Sequence, residues 1–106
     1  MNLISNSFNY TSQDHQEYEH IGYKIFNPFL SQEGLESCRH ELDLMINEKL
    51  QPGRSPDEII SAHHQEPWAW ELATHPKVLD MIEMQIGPNI VLWSSHLICK
   101  PPGSGM

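Results

Sequence analysis

The side chains best able to do chemistry in this chain are its seven histidines, set among fourteen Asp and Glu. Imidazole and carboxylate together suggest metal binding or proton transfer first. A His-x-Asp or His-x-Glu triplet on a strand would aim both side chains to one face, because alternate residues share a face. Two triplets have this spacing, His15-Gln16-Glu17 and His64-Gln65-Glu66. The first lies in a predicted helix, where positions i and i+2 diverge. The second sits just before Pro67, in a loop. His63 and His64 are adjacent, and neighbouring residues point apart on a helix or a strand. No two histidines are four apart, the pairing that serves zinc on one helix face. No residue is therefore assigned as a metal ligand or as catalytic. Of the remaining histidines, His96 stands out for its setting, together with Lys100.

Both lie in residues 90–100, a run without Gly or Pro that is rich in β-branched and aromatic residues. Gly87 and Pro88 stop the preceding helix, and Pro101, Pro102 and Gly103 end the run, so a strand is expected. Ile90, Leu92, Ser94, His96, Ile98 and Lys100 share one face. Val91, Trp93, Ser95, Leu97 and Cys99 share the other. The second face is the more apolar and suits a helical cover. His96 and Lys100 are then left facing a cavity, with His96 less buried than Trp93 and Leu97. The plain alternatives are a histidine satisfied by a backbone carbonyl and a strand-end lysine with its ammonium in water.

The elements that must position this stretch follow from hydrophobic periodicity. Residues 1–10 are polar and aperiodic and read as a frayed, disordered terminus. Thr11 can cap a short helix to about residue 20. Ile21, Tyr23 and Ile25 alternate with Gly22, Lys24 and Phe26, which predicts a short strand ended by Asn27-Pro28. Ser31 is a good N-cap for an amphipathic helix over 32–50, with Leu35, Cys38, Leu42, Met45 and Ile46 on its apolar stripe. Residues 51–56 form a loop, and 57–66 are undecided. Pro67 opens a helical turn, PWAWELA. Thr74 caps a last helix that buries Val78, Leu79, Ile82 and Ile86.

Composition narrows the classes. The chain of 106 residues is enough for one domain. Its net charge of −8, with six scattered Lys and Arg, argues against nucleic acid or an anionic membrane surface as a partner. No apolar run approaches a membrane span, and the polar start does not resemble a signal peptide. A cytoplasmic protein is the simplest expectation. Cys38 and Cys99 have no metal spacing and read as free thiols.

The stretch GPNIVLWSSHLICKPPG resembles the segment just before the iron-binding motif of the phytanoyl-CoA dioxygenase family. IGYKIF is similar to that family's early strand, and HPKVLDMIEMQIGPNI to its helix before the strand. The resemblance covers about residues 15–105. It implies an α+β chain: a helical buttress and the first strands of a double-stranded β-helix, incomplete, in one partial domain over 1–106. It implies an Fe(II)- and 2-oxoglutarate-dependent oxygenase acting on a small organic molecule, with the His-x-Asp motif following the segment matched by KPPG. His96 and Lys100 would then line the 2-oxoglutarate pocket, and some residue of 57–66 would edge it. The chain is expected to be inactive alone and to hold neither cofactor by itself. A halogenase on the same scaffold, or a non-enzymatic helical interaction domain, are the alternatives.

Overall fold

A computed structural model describes residues 2–103, and its secondary structure is helical. Helix α1 (Ser12–Ile21) is closed by a capping box between Thr11 and Asp14, the Asp14 carboxylate accepting from the Thr11 N–H at 2.9 Å. That bond is the main cause that holds the Asp14 carboxyl below the usual carboxylate range. Gly22 ends α1 in the left-handed region at φ 98°, where a side chain would be strained. Helix α2 (Gln32–Leu44) starts at Ser31 as its sequence demands, and its last turn widens to π geometry over Met45–Lys49. Two short 3₁₀ turns follow, Pro56–Glu58 and Ala62–His64. Helices α3 (Pro67–Ala73) and α4 (Pro76–Ile86) complete the order. Thr74, expected to cap α4, instead donates to the Trp70 carbonyl at 2.7 Å and closes α3. His75 caps α4 in its place, its Nδ1 accepting from the Lys77 N–H at 3.1 Å.

The expected α+β architecture with early β-helix strands is not what forms. The described residues contain no sheet, only isolated antiparallel bridges at Ile4–Leu30 and Ile60–His96. A strand exists only through a partner, and the predicted strand at 21–26 has none. Lys24 turns back instead onto α1, pairing with Asp14 at 3.3 Å and with Glu17. Residues 90–100 form no strand, and the His96 bridge is their sole ladder contact among the described residues.

The N-terminal arm is the second correction. Residues 2–10, expected to fray, carry the most deeply buried side chains: Leu3, Ile4 and Phe8 are at most 4% exposed. Ser5 N–H donates to the Phe29 carbonyl and Ser31 N–H to the Leu3 carbonyl, so the arm pairs with the chain leading into α2. Phe8 meets Phe26 and Phe29 edge to face, with centroids 5.0 and 4.9 Å apart. The Lys77 ammonium on α4 donates to the Ser5 and Phe8 carbonyls at 3.1 and 2.9 Å, which ties the arm to the far end of the chain. Of the α2 stripe, Met45 is buried, whereas Leu35, Cys38, Leu42 and Ile46 are half-buried.

Gly34 is where the arm and α2 touch. A Cβ placed there would lie 2.2 Å from the Leu3 carbonyl oxygen, too close for any side chain. Gly34→Ala should therefore push the arm off the helix. Overpacking of this kind costs about 1–3 kcal/mol, read as a lower urea midpoint with faster amide exchange at residues 3–8. Unchanged stability and exchange would show that the close approach is not essential.

Candidate functional site

The polar residues that the fold does bring together lie where the 57–66 loop meets residues 95–99. The Ile60–His96 bridge is framed by Ser61 N–H donating to the Ser95 carbonyl at 2.6 Å and Leu97 N–H donating to the Ile59 carbonyl at 3.1 Å. Ser61 is the one non-glycine described residue with positive φ, at 58°. A left-handed conformation costs an L-residue about 1–2 kcal/mol, and such strain collects at functional sites. Here it turns the chain sharply into Ala62–His64.

That turn buries His63, which is 4% exposed. Its Nδ1 lies 2.8 Å from the Ser95 hydroxyl. Its Nε2 is buried and has no hydrogen-bond partner among the described residues. The ring sits 4.2 Å from that of His64, centroid to centroid, tilted by 40°. The sequence expectation that neighbouring histidines point apart is thus overturned. It assumed regular helix or strand geometry, and the left-handed Ser61 supplies neither. Glu66, also buried, holds Lys49 with both carboxylate oxygens at 2.9 Å. This pair links the end of α2's π turn to the start of α3. His63, His64, Glu66 and Trp70 line an open cleft of about 430 Å³.

His96 and Lys100 do not line that cleft. The His96 Nε2 donates to the Asp57 carbonyl at 2.6 Å while the ring stays largely in solvent. Asp57 holds the same segment a second time, its carboxylate accepting from the Cys99 N–H. Lys100 is exposed. The plain alternatives for both residues describe their surroundings well: a backbone carbonyl for the histidine, water for the lysine.

The facing expected along 90–100 holds only in its second half. Ser95, Leu97 and Cys99 are half-buried, and Leu97 lines a cavity together with Ala62, Trp68 and Leu72 of the loop and α3. In the first half Ile90, Val91 and Leu92 all border a groove beside α4, but Ile90 is half-buried and Leu92 36% exposed, while Val91 is 85% and Trp93 89% exposed. The inward positions therefore run 90, 92, then 95, 97, 99. One residue slips between the halves, and a slip of one swaps the faces. Trp93, expected under the helix, lies outside it at 89% exposed, whereas His96 is, as expected, more exposed than Leu97.

Neither His-x-Glu triplet makes a ligand pair. His15 bonds Tyr10 at 3.2 Å and lies 3.5 Å from Glu19, one helical turn on. His64 is exposed, whereas Glu66 is buried against Lys49. Among the described residues no group of three or more His, Cys, Asp or Glu is placed to hold a metal ion. None of the described helices is long and apolar enough to cross a membrane. Both cysteines are free and half-buried. Burial first, then the Glu71 and Glu41 carboxylates, pushes the Cys38 thiol up.

Sequence reasoning left 57–66 undecided and so missed His63, Glu66 and Lys49. The available signal was weak: a mixed polar and apolar stretch, DEIISAHHQE, ahead of Pro67, with nothing to say which side chain turns inward.

Two outcomes follow from this geometry. Ser95→Ala removes the hydrogen-bond partner that the buried His63 ring has among the described residues. Leaving a buried polar group unsatisfied costs about 1–3 kcal/mol, measurable by urea denaturation. The His63 ring-nitrogen NMR shifts should move with it, and unchanged shifts would show the pairing absent in solution. Cys38 should alkylate with a pH midpoint above that of a free cysteine, since a raised pKa keeps less thiolate at a given pH. Iodoacetamide kinetics on a Cys99→Ser chain read this directly, and a midpoint at or below the free value would contradict the burial.

No protein-family model, no curated protein and no solved structure matches this chain. The family resemblance thus stands on the residues quoted for it alone.

Proposed function

We propose that this chain is part of an Fe(II)- and 2-oxoglutarate-dependent oxygenase resembling the phytanoyl-CoA dioxygenase family, in which it supplies a wall beside the reaction centre. One observation carries most weight. The 57–66 loop, expected to edge the pocket, and the stretch holding the most specific resemblance are hydrogen-bonded to each other around a strained Ser61 and a buried His63. That contact between two segments distant in sequence supports reading them as parts of one wall. His96 and Lys100 would stand at the 2-oxoglutarate side of this wall, where an imidazole and an ammonium suit carboxylate oxygens. A small organic molecule is the substrate class.

The donor set does not fit iron. A facial site needs two histidines and a carboxylate on one side of the metal, and the described residues offer no such group. No chemical step is assigned to them. Whether the reaction would be hydroxylation or halogenation rests on the metal carboxylate, which is not among the residues matched here. The interaction-domain reading has one observation in its favour, the exposed apolar stretch at 91–93.

The 106-residue chain supplied with Fe(II), ascorbate and 2-oxoglutarate should form no iron-dependent succinate above a protein-free blank. Turnover would overturn the wall-only role. Sequencing the transcript beyond the codon for residue 106 tests the family itself. A His-x-Asp or His-x-Glu motif in frame is expected, and a stop codon with no such motif would favour the interaction domain.

A further inference from the structure

The hydroxyl that meets the buried His63 ring belongs to a residue that also borders a cavity. Ser95 Oγ lies 2.8 Å from His63 Nδ1. An imidazole at that distance can take the hydroxyl proton, which turns a serine from a weak nucleophile into an active one. The two residues are held together twice. His63 sits in the 3₁₀ turn that follows the left-handed Ser61, and the Ser61 N–H donates to the Ser95 carbonyl at 2.6 Å. The backbone bond and the side-chain pair thus fix the same two segments at adjacent points.

The cavity offers the pair something to act on. It holds about 220 Å³ and is lined by Ser95 together with Ala62, Trp68, Leu72 and Leu97, among others. No Asp, Glu, Lys or Arg is in its lining. An uncharged apolar group suits it, since a charge would enter without a partner. Two N–H donors nearby lack partners among the described residues. Trp68, in the lining, has a buried Nε1–H without one. The His96 N–H, next to Ser95, faces away from the Ile60–His96 bridge and bonds to no described residue. Donors of this kind, beside a nucleophile, serve the negative oxygen of a tetrahedral intermediate.

No carboxylate backs the histidine. Glu66, three residues on, is taken by Lys49. The pair is therefore a dyad, and slow acylation is expected in place of a triad's turnover.

We propose that Ser95 is a nucleophile with His63 as its base, and that it accepts the acyl group of small, uncharged apolar esters. The base role requires the tautomer with its proton on Nε2. Ser95 Oγ bonds to the ester carbonyl carbon while its own proton passes to His63 Nδ1. The bond from that carbon to the alcohol oxygen then breaks, and the proton leaves with the alcohol. Water repeats the sequence on the acyl-serine and releases a carboxylic acid. This does not depend on the oxygenase reading.

An alkyl fluorophosphonate tests the proposal on the 106-residue chain, because such a reagent loses fluoride to an activated serine hydroxyl. A single phosphonyl group is expected, and peptide mass mapping should place it on Ser95 and not on the neighbouring Ser94. Urea should abolish the labelling, since it separates the two segments. His63→Gln can still hydrogen-bond Ser95 but cannot take its proton. At an unchanged helical circular-dichroism signal it should slow labelling about 10²-fold. Ser94→Ala should label like the unchanged chain. p-Nitrophenyl butyrate should give a burst of nitrophenolate that Ser95→Ala loses. No adduct on Ser95, labelling shared equally with Ser94, labelling that persists in urea, or an unchanged rate in His63→Gln would each overturn the inference. The mapping uses the unchanged chain, so it decides even where a variant fails to fold.

Discussion

The seating of the N-terminal arm on the first turns of α2 is the constraint on which the rest depends. Leu3 lies so close to Gly34 that its carbonyl occupies the space of a side chain. From that contact the arm spreads in two directions. Ser5 and Ser31 fasten it to the chain before α2 through paired backbone bonds. Its carbonyls then receive the Lys77 ammonium from α4. Hydrogen bonds to a charged group are stronger than neutral ones, and these join residues more than sixty positions apart. Without the arm, α2 and α4 would share little, since Leu3, Ile4 and Phe8 make up most of the buried apolar core.

No sheet forms among the described residues. Antiparallel pairing needs two extended segments held side by side. The chain has three candidates: the arm, residues 21–26 and residues 90–100. The arm spends its edge on Leu30. Residues 21–26 are drawn back to α1 by Lys24. Residues 90–100 find the 57–66 loop, which offers one bridge before it turns into a 3₁₀ helix. Each segment is satisfied locally or barely at all, and the surface left open is the apolar half of 90–100.

The polar cluster at the loop is a different kind of structure. His63 and Glu66 of the loop, Lys49 and Ser95 come from three separate places in the chain, and each is held by a specific partner. Burying a carboxylate is costly unless it is paired, and Lys49 pairs Glu66 while itself staying half in water. The unpartnered Nε2 of His63 is the exception within an otherwise satisfied cluster. Its setting, next to a left-handed serine and beneath a cleft, is what makes this corner the best candidate for function.

Local chemistry in the sequence determined the helices. Thr11 and Ser31 set two of their starts, and Gly22 and Gly87 two of their ends, because capping and left-handed glycine act within a few residues. The stripe of α2 was legible for the same reason. Tertiary structure alone decided the rest. The arm looked frayed because its polar composition hid three residues that find a core only once α2 and Phe29 are in place. Nothing along α2 singled out Gly34, whose role comes from Leu3 lying against it. Trp93 looked buried because period two assumes an unbroken strand, and one slip reversed it. His63 and His64 looked divergent because regular geometry was assumed where Ser61 breaks it. Caps and periods are short-range physics and can be read along the chain, whereas which side chain turns inward depends on partners that only folding brings near.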